Sequence, residues 1–287
     1  MEQSKVCGCT GIRSCLVCEQ TVKNHGKGKD NTVVAHLPGE VWQYCPVCRK
    51  AWSKTDLQQH PVTCESHKGN SLDFHGIEIL ENFISSQEEM DIVRKIDMWD
   101  WKASQSGRQK QDFGPKVNFK KRKLRSDCFT GLPPFSKVLV GKMNLVPCLA
   151  TFRPIEQCHL EYIPERGSSI DPHFDDWWVW GERLVTLNLL SSSYIIFTYN
   201  PTEEENNDSL QQLPAVSVPM PQRSLLVVYG DARFKWMHSV PRNAITSRRI
   251  AITYRELSEQ FSEGGENFEV GKKVLEIAET YQGEVVK

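Results

Sequence analysis

The sequence predicts a mainly β protein, a sandwich or barrel of short strands with flanking helices, preceded by a small cysteine-rich region. Three observations lead there. From residue 158 onwards apolar residues come in short runs divided by turn residues, at 158–163, 183–190, 193–199, 224–229 and 248–255, as in all-β cores. Those runs lack helical spacing, which is confined to segments outside them. Seven of the ten cysteines lie before residue 65, where aliphatic runs are few.

In chain order, residues 1–70 are the cysteine-rich region, with one or two candidate zinc sites, and 71–287 the larger domain. Phe74, Ile77, Ile79 and Leu80 read as a strand. Ser85 and Ser86, followed by Glu88 and Glu89, give a helix N-cap with acids in the first turn. Met90, Val93, Ile96 and the Trp99/Trp101 pair supply that helix's apolar stripe. Residues 102–127 are polar and basic and read as loop. A second helix is expected within 131–150, after Pro133-Pro134. Residues 200–222, with an acidic run at 203–208 and four prolines, read as a long solvated loop. The last 20 residues, through Val270, Val274, Leu275 and Ile277, read as a helix.

Hydrophobic residues make up 39% of the 287, enough for a sizeable core. The net charge of −1 excludes a global attraction to nucleic acid or anionic lipid, so any polyanion contact must be local. There is no run of 18 apolar residues and no apolar stretch of a signal peptide at the N-terminus, so a cytoplasmic and nuclear setting without a membrane partner is expected. Thiols stay reduced there, which turns the cysteines towards metal rather than disulfides. Cys128, Cys148 and Cys158 read as buried small hydrophobes.

The string Ile170-Asp171-Pro172-His173-Phe174-Asp175-Asp176 places His173 and Asp175 two apart, hence on one face of a strand. His238, after the 225–229 strand and a glycine-containing turn, is the candidate third ligand. Two histidines and a carboxylate cover one face of an octahedral ion and leave three positions open. That suits non-haem Fe(II), with 2-oxoglutarate at two positions and O2 at the third; zinc is satisfied by four ligands and does no redox chemistry. Arg249 and Arg255 are six apart on the last strand and face the same way. Guanidinium groups bind carboxylates bidentately, as the two carboxylates of 2-oxoglutarate require. The plain alternatives are a surface histidine and two edge-strand arginines. Asp176, Trp177, Trp178 and Trp180 either line a substrate mouth or pack as core.

In this order and at these intervals, the His173-x-Asp175 pair, His238 and the two arginines resemble the AlkB family of oxidative demethylases. The segment from Leu225 to His238 is similar to that family's strand and turn before its distal histidine. Tyr162-Ile163-Pro164 resembles the segment whose tyrosine contacts 2-oxoglutarate. The likeness covers about residues 72–258. Cys7 to Glu19, Gln105 to Arg108, Gly114 to Phe119 and Pro164 to Gly167 resemble one branch of the family. The resemblance implies a double-stranded β-helix (jelly-roll) core, Fe(II) on His173, Asp175 and His238, and 2-oxoglutarate held by Arg249, Arg255 and Tyr162. It implies that Arg249 meets the distal carboxylate and that Arg255 supports the proximal one or the ligand shell. It also implies removal of N-methyl groups as formaldehyde with succinate as coproduct. For that branch the implied substrate is methyl-lysine in a protein such as actin, with N6-methyladenine DNA as the alternative. Leu160 stands where the family usually has Asn, and His159 beside it is the candidate replacement for that hydrogen bond or an ordinary polar residue at a strand end.

Cys7, Cys9, Cys15 and Cys18 put four thiolates into 12 residues, a zinc spacing with an iron–sulfur cluster as alternative. Cys45, Cys48, His60 and Cys64 form a second set, with Tyr44, Trp52 and Leu57 placed as in a small ββα finger whose helix would run over about 54–64. His67 is an alternative to Cys64. Lys116, Lys120, Lys121, Arg122, Lys123 and Arg125 make a basic run around Phe119, a solvated face or a contact for nucleic acid or an acidic protein. The sequence thus carries three readings: a protein demethylase, a nucleic-acid demethylase, and a zinc-finger adaptor with little catalysis.

Overall fold

The computed structural model describes residues 7–9, 13–19, 40–55, 64, 67–200 and 213–286, with backbone alone at 54 and 55. After a helical turn at 16–19, three strands follow, β1 (Val41–Cys45), β2 (Lys50–Thr55) and β3 (His67–Asp73), then β4 (Ile77–Leu80) and helix α1 (Ser86–Ile96). Four short strands follow, β5 (Lys102–Ala103), β6 (Gln109–Phe113), β7 (Lys116–Asn118) and β8 (Lys123–Arg125), then α2 (Ser136–Met143). The strand-rich part comprises β9 (Glu156–Tyr162), β10 (Ile170–His173), β11 (Trp180–Leu189), β12 (Ser193–Tyr199), β13 (Ala215–Met220) and β14 (Leu225–Val228). A one-turn helix α3 (Gly230–Phe234), β15 (Trp236–Val240), β16 (Arg249–Leu257) and α4 (Phe268–Ala278) complete the described chain.

Two seven-stranded sheets face each other, one in the order β10-β15-β12-β13-β1-β2-β3, the other β4-β14-β11-β16-β9-β6-β5. This is the jelly-roll arrangement expected above. Period-two alternation decides what lies between the sheets. On β16, Arg249, Ala251, Thr253 and Arg255 line an internal cavity, while Ile250, Ile252 and Tyr254 join the opposite core with Ile92 and Ile96 of α1 and Leu139 and Met143 of α2. The same alternation holds on β11, where Leu184 and Thr186 face the cavity and Val185, Leu187 and Leu189 face the helices. Helix α1 starts where its sequence signal places it: Ser85 caps the amide of Glu88, and the Glu88 carboxylate returns to the amide of Ser85, satisfying two otherwise orphaned donors. Among the described residues no helix is long and apolar enough to cross a membrane.

Several expectations change. Residues 102–127 are not simply loop, because β6 pairs with β9 inside the second sheet. Its sequence, QKQDF, is polar, but Gln111 is fully buried and spends its amide on the carbonyls of Ile96 and Trp99. Ala215–Met220, read as loop for its prolines, is a strand between β12 and β1. Pro219 lies past the last residue paired with β1, Ser217, so no ladder bond to β1 is lost there; residues 201–212 lie outside the described set. β1 pairs in parallel with β13, so strands from before residue 70 join the first sheet. Of the finger helix expected over about 54–64, the first two residues are strand, since Thr55 ends β2; 56–63 lie outside the described residues. Of the three late cysteines only Cys158 is buried; Cys148 is intermediate and Cys128 exposed.

Candidate active site

One cavity lies between the two sheets, open on one side to solvent. The first sheet contributes His173 from the end of β10, Asp175 just beyond it and His238 from β15. The second contributes Leu160, Tyr162, Arg249 and Arg255. The fold therefore brings together residues that are up to 95 positions apart, from Leu160 to Arg255.

His173 and His238 are directly opposed in the β10–β15 register, their ring centroids 4.3 Å apart. The Nδ1–H of His173 donates to the Asp171 carbonyl at 2.9 Å. That bond fixes the tautomer and leaves Nε2 with its lone pair. Burial pushes the His173 imidazole below its ordinary range. Burial, with His173 beside it, pushes His238 down to about 3. Both rings are thus neutral donors.

Asp175 reaches the cavity differently from the expectation, because β10 ends at His173 and the carboxylate is presented by the following turn. Its Oδ1 and Oδ2 accept from Nη2 and Nε of Arg255 at 3.1 and 3.2 Å. Burial would raise this carboxyl, but Arg255 and the two histidines outweigh it and hold it well below the usual carboxylate range. Arg255 is the counter-ion of this end of the site, bonded also to Glu156 at 2.7 Å. The three ligand candidates are not gathered as tightly as the two cysteine groups described below, whose donor atoms all lie within 4.8 Å of one another. Both Asp175 oxygens are drawn onto Arg255.

Arg249 behaves in the opposite way. It is 1% exposed. Its Nε donates to Asn188 Oδ1 at 2.6 Å, its Nη2 to the Met220 sulfur at 3.5 Å, and its guanidinium lies 4.8 Å from the centre of the Tyr162 ring. Its Nη1 has no partner, and among the described residues no carboxylate pairs with it. A buried guanidinium without an anion is costly. Arg249 lines the same cavity as Asp175 and the two histidines.

His159 does not stand in for the missing Asn. Leu160 lines the cavity, so the preceding residue points to the other face. There His159 Nδ1–H donates to Gln111 Oε1 at 2.8 Å and its Nε2 accepts from the Gln157 amide at 2.6 Å. Its ring packs among Trp99, Phe113 and Phe135, and burial pushes its pKa down to about 3. It is a satisfied core histidine.

Arg233 and Asn188 escaped the sequence reading. Arg233 is 2% exposed and donates from Nη1 to the Asp175 carbonyl at 3.0 Å. Asn188 orients Arg249, with its amide on the carbonyls of Ser191, Met220 and Pro221. Neither has a period or motif that announces it. Of the tryptophans after Asp175, Trp180 is core, Trp178 packs against that core, and Trp177 is 56% exposed beside Phe174 and Phe234. A surface cleft follows, lined by Trp177, Trp178, Trp180, Glu182, Glu256 and Glu259 among others.

Cys7, Cys9, Cys15 and Cys18 converge, as do Cys45, Cys48, Cys64 and His67. In the second group His67 stands beside Cys64 rather than in its place, and His60 lies outside the described residues. Cys45 and Cys48 bracket the β1–β2 turn, Trp52 Nε1 donates to Cys48 Sγ at 3.3 Å, and the Trp52 ring stacks on His67 at 5.1 Å. Among the described residues the group is carried by the β1–β2 ribbon, Cys64 and the first residue of β3. The basic run folds as the β7–β8 hairpin with all six cations exposed.

Three relatives are similar over nearly the whole chain. The alpha-ketoglutarate-dependent dioxygenase alkB homolog 4 of Homo sapiens is 41% identical, covering 99% of this chain and 97% of its own length. That of Mus musculus is 40% identical over 98% and 96%. A DNA N6-methyl adenine demethylase of Caenorhabditis elegans is 37% identical over 86% and 85%. A search against models of protein families returned no match.

Proposed function

The chain belongs to the AlkB family of α-ketoglutarate (2-oxoglutarate)-dependent dioxygenases, and from that premise we propose that it demethylates methyl-lysine in a protein substrate through a site built on His173, Asp175, His238 and Arg249. The observation that carries this reading is the buried, anion-free guanidinium of Arg249 in the cavity of the ligand candidates. It fits the distal carboxylate of 2-oxoglutarate, and Tyr162 forms the floor beneath it. Two neutral imidazoles and an ionised carboxylate are the donor set for Fe(II). Arg255 belongs to the ligand shell, holding Asp175 ionised and in place.

Bound iron, with 2-oxoglutarate and O2, supplies oxidation of the N-methyl carbon: the cosubstrate leaves as succinate and CO2, and the hydroxymethyl product releases formaldehyde. The protein's own share is positioning. Asp171 fixes the His173 tautomer, Arg233 anchors the Asp175 backbone, Asn188 aims Arg249, and Leu160, Ile195 and Val240 keep the cavity dry. The second cysteine group, Cys45, Cys48, Cys64 and His67, has the donor set of a structural zinc site.

The cleft beyond Asp175, with its tryptophans and the glutamates Glu182 and Glu259, favours a cationic methylammonium, through cation–π and charge attraction. A methyl-lysine of actin is one such substrate. A second reading, N6-methyladenine in DNA, rests on the exposed β7–β8 hairpin. There, among the described residues, Arg125 pairs with Asp127 and the other five cations have no acidic partner within ion-pair distance. It is also the substrate named for the C. elegans relative. Formaldehyde release from methyl-lysine actin and from N6-methyladenine DNA, in parallel, separates the two. Release from the protein alone supports the proposal; release from DNA alone transfers it to the second reading.

A further inference from the structure

We propose that Cys7, Cys9, Cys15 and Cys18 hold a structural zinc ion, and that this site clasps the two chain segments from which His173 and His238 enter the cavity. The four sulfurs lie within 4.8 Å of one another, and all are free thiols. Cys15 Sγ and Cys18 Sγ are 3.8 Å apart. A tetrahedral site with Zn–S bonds of ~2.3 Å has S···S edges of about 3.8 Å, whereas a disulfide needs ~2.05 Å. An all-thiolate set selects a soft or borderline ion over magnesium or calcium. The Cys15 amide donates to Cys18 Sγ at 3.1 Å. Such bonds stabilise thiolate ligands from the second shell of the site.

The segment cannot hold itself by burial. Between residues 7 and 19, Cys15 is the one buried side chain among those described. A metal is then its core, and binding it is what folds it.

What it folds against is specific. Gly8 N–H donates to the Ser104 carbonyl at 3.2 Å. Gly107 has φ +74°, and a Cβ there would lie 2.5 Å from the Arg166 carbonyl oxygen and 3.1 Å from Cys15 Cβ. Gly167 has φ +61°, and a Cβ there would lie 2.6 Å from Leu16 Cγ. The knuckle therefore interlocks with both loops at positions only glycine occupies without strain. The loop leading to His173 is tied in turn: Arg166 Nε and Ser168 Oγ both donate to the Gly107 carbonyl at 2.9 Å, and Ser169 N–H donates to Ser106 O at 3.0 Å. Two ion pairs complete the clasp. Arg13 meets Asp171 at 3.4 Å, two residues before His173. Arg242, just past β15, meets Glu19 at 2.6 Å and the Ser14 carbonyl at 3.3 Å. Exposed pairs of this kind are weak singly; the metal makes them act together by ordering the segment that bears one half of each.

The test is made on the full chain with no substrate turnover, so it stands apart from the proposed activity. Zinc content and absorption after cobalt exchange are measured on the wild type. Hydrogen exchange and Fe(II) affinity are then compared with Cys15→Ser/Cys18→Ser. The expected result is cobalt–thiolate absorption in the wild type and one zinc equivalent fewer in the variant. Exchange should rise about tenfold or more at 104–108 and 163–171 with 225–228 still protected, and Fe(II) should bind roughly 10–100-fold more weakly. Zinc-free thiols, an iron–sulfur chromophore, or a variant that keeps its zinc would overturn the site. Zinc loss without faster exchange in those loops would overturn the clasp. If the variant loses protection at 225–228, Arg13→Ala/Arg242→Ala decides: it should keep its zinc yet loosen 163–171, and unchanged exchange there contradicts the clasp.

Discussion

Arg255 and Arg249 sit six residues apart on β16 and line one cavity, yet only Arg255 has an acid partner. It donates to both oxygens of Asp175, while Arg249 keeps one N–H unpaired in the interior. That asymmetry divides their roles. Arg255 neutralises and positions a protein carboxylate; Arg249 waits for a carboxylate from outside.

Arg249→Met is therefore expected to leave the apoprotein as stable as the wild type or slightly more so, since an unpaired buried charge is removed. In the wild type, 2-oxoglutarate at 100 times its Kd should add about 2.7 kcal/mol to the stability of the Fe(II)-loaded protein. Thermal denaturation with and without 2-oxoglutarate checks both, and the variant should lose the shift.

Arg255→Ala should behave differently. It leaves the buried Asp175 and the half-buried Glu156 without their cation, and removing one partner of a buried pair costs about 3–5 kcal/mol. Urea unfolding of the two arginine variants side by side should show a large loss for Arg255→Ala and none for Arg249→Met.

Arg233→Ala removes the bond that anchors the Asp175 backbone. Fe(II) affinity is expected to fall roughly 10–100-fold, the range for groups that orient ligands, while 2-oxoglutarate affinity at saturating iron changes little. Isothermal titration of each ligand in turn measures this split.

His159 predicts a pH dependence. Its Nε2 accepts from Gln157, so protonation would set donor against donor in a buried site. The folded pKa is pushed down to about 3 from an ordinary 6.5. Above pH ~6.5 neither state binds this proton. As pH falls from there towards 3 the unfolded chain binds it and the folded chain does not. Stability then falls by up to ~1.4 kcal/mol per pH unit from this residue alone. His159→Phe should flatten that acid limb in apoprotein unfolding measured from pH 7 to 4.

Much of this architecture is legible in the sequence, and particular residues show why. Leu225 to Val228 is a near-continuous apolar run because both faces of β14 are covered. The α1 start is written in Ser85 and Glu88. The ligand candidates were legible because metal chemistry restricts residue types and spacing. β6 was not: its buried Gln111 is polar, and the carbonyls of Ile96 and Trp99 together with the ring of His159, all distant in sequence, make that burial tolerable. Arg233 and Asn188 were invisible for a similar reason. Their work is done by hydrogen bonds across long separations, which no local pattern encodes. His67 was read as an alternative to Cys64, but it joins Cys64 in the group, because a ligand spacing alone does not say which donors the fold brings together.

The most direct test of the central claim is succinate release from 2-oxoglutarate with Fe(II) and a methylated substrate, in the wild type and in Asp175→Ala. The account predicts substrate-stimulated succinate in the wild type and none above background in the variant. Equal turnover in Asp175→Ala would contradict the ligand assignment, and a wild type that binds iron and 2-oxoglutarate yet forms no succinate with either methyl-lysine actin or N6-methyladenine DNA would contradict the proposed activity.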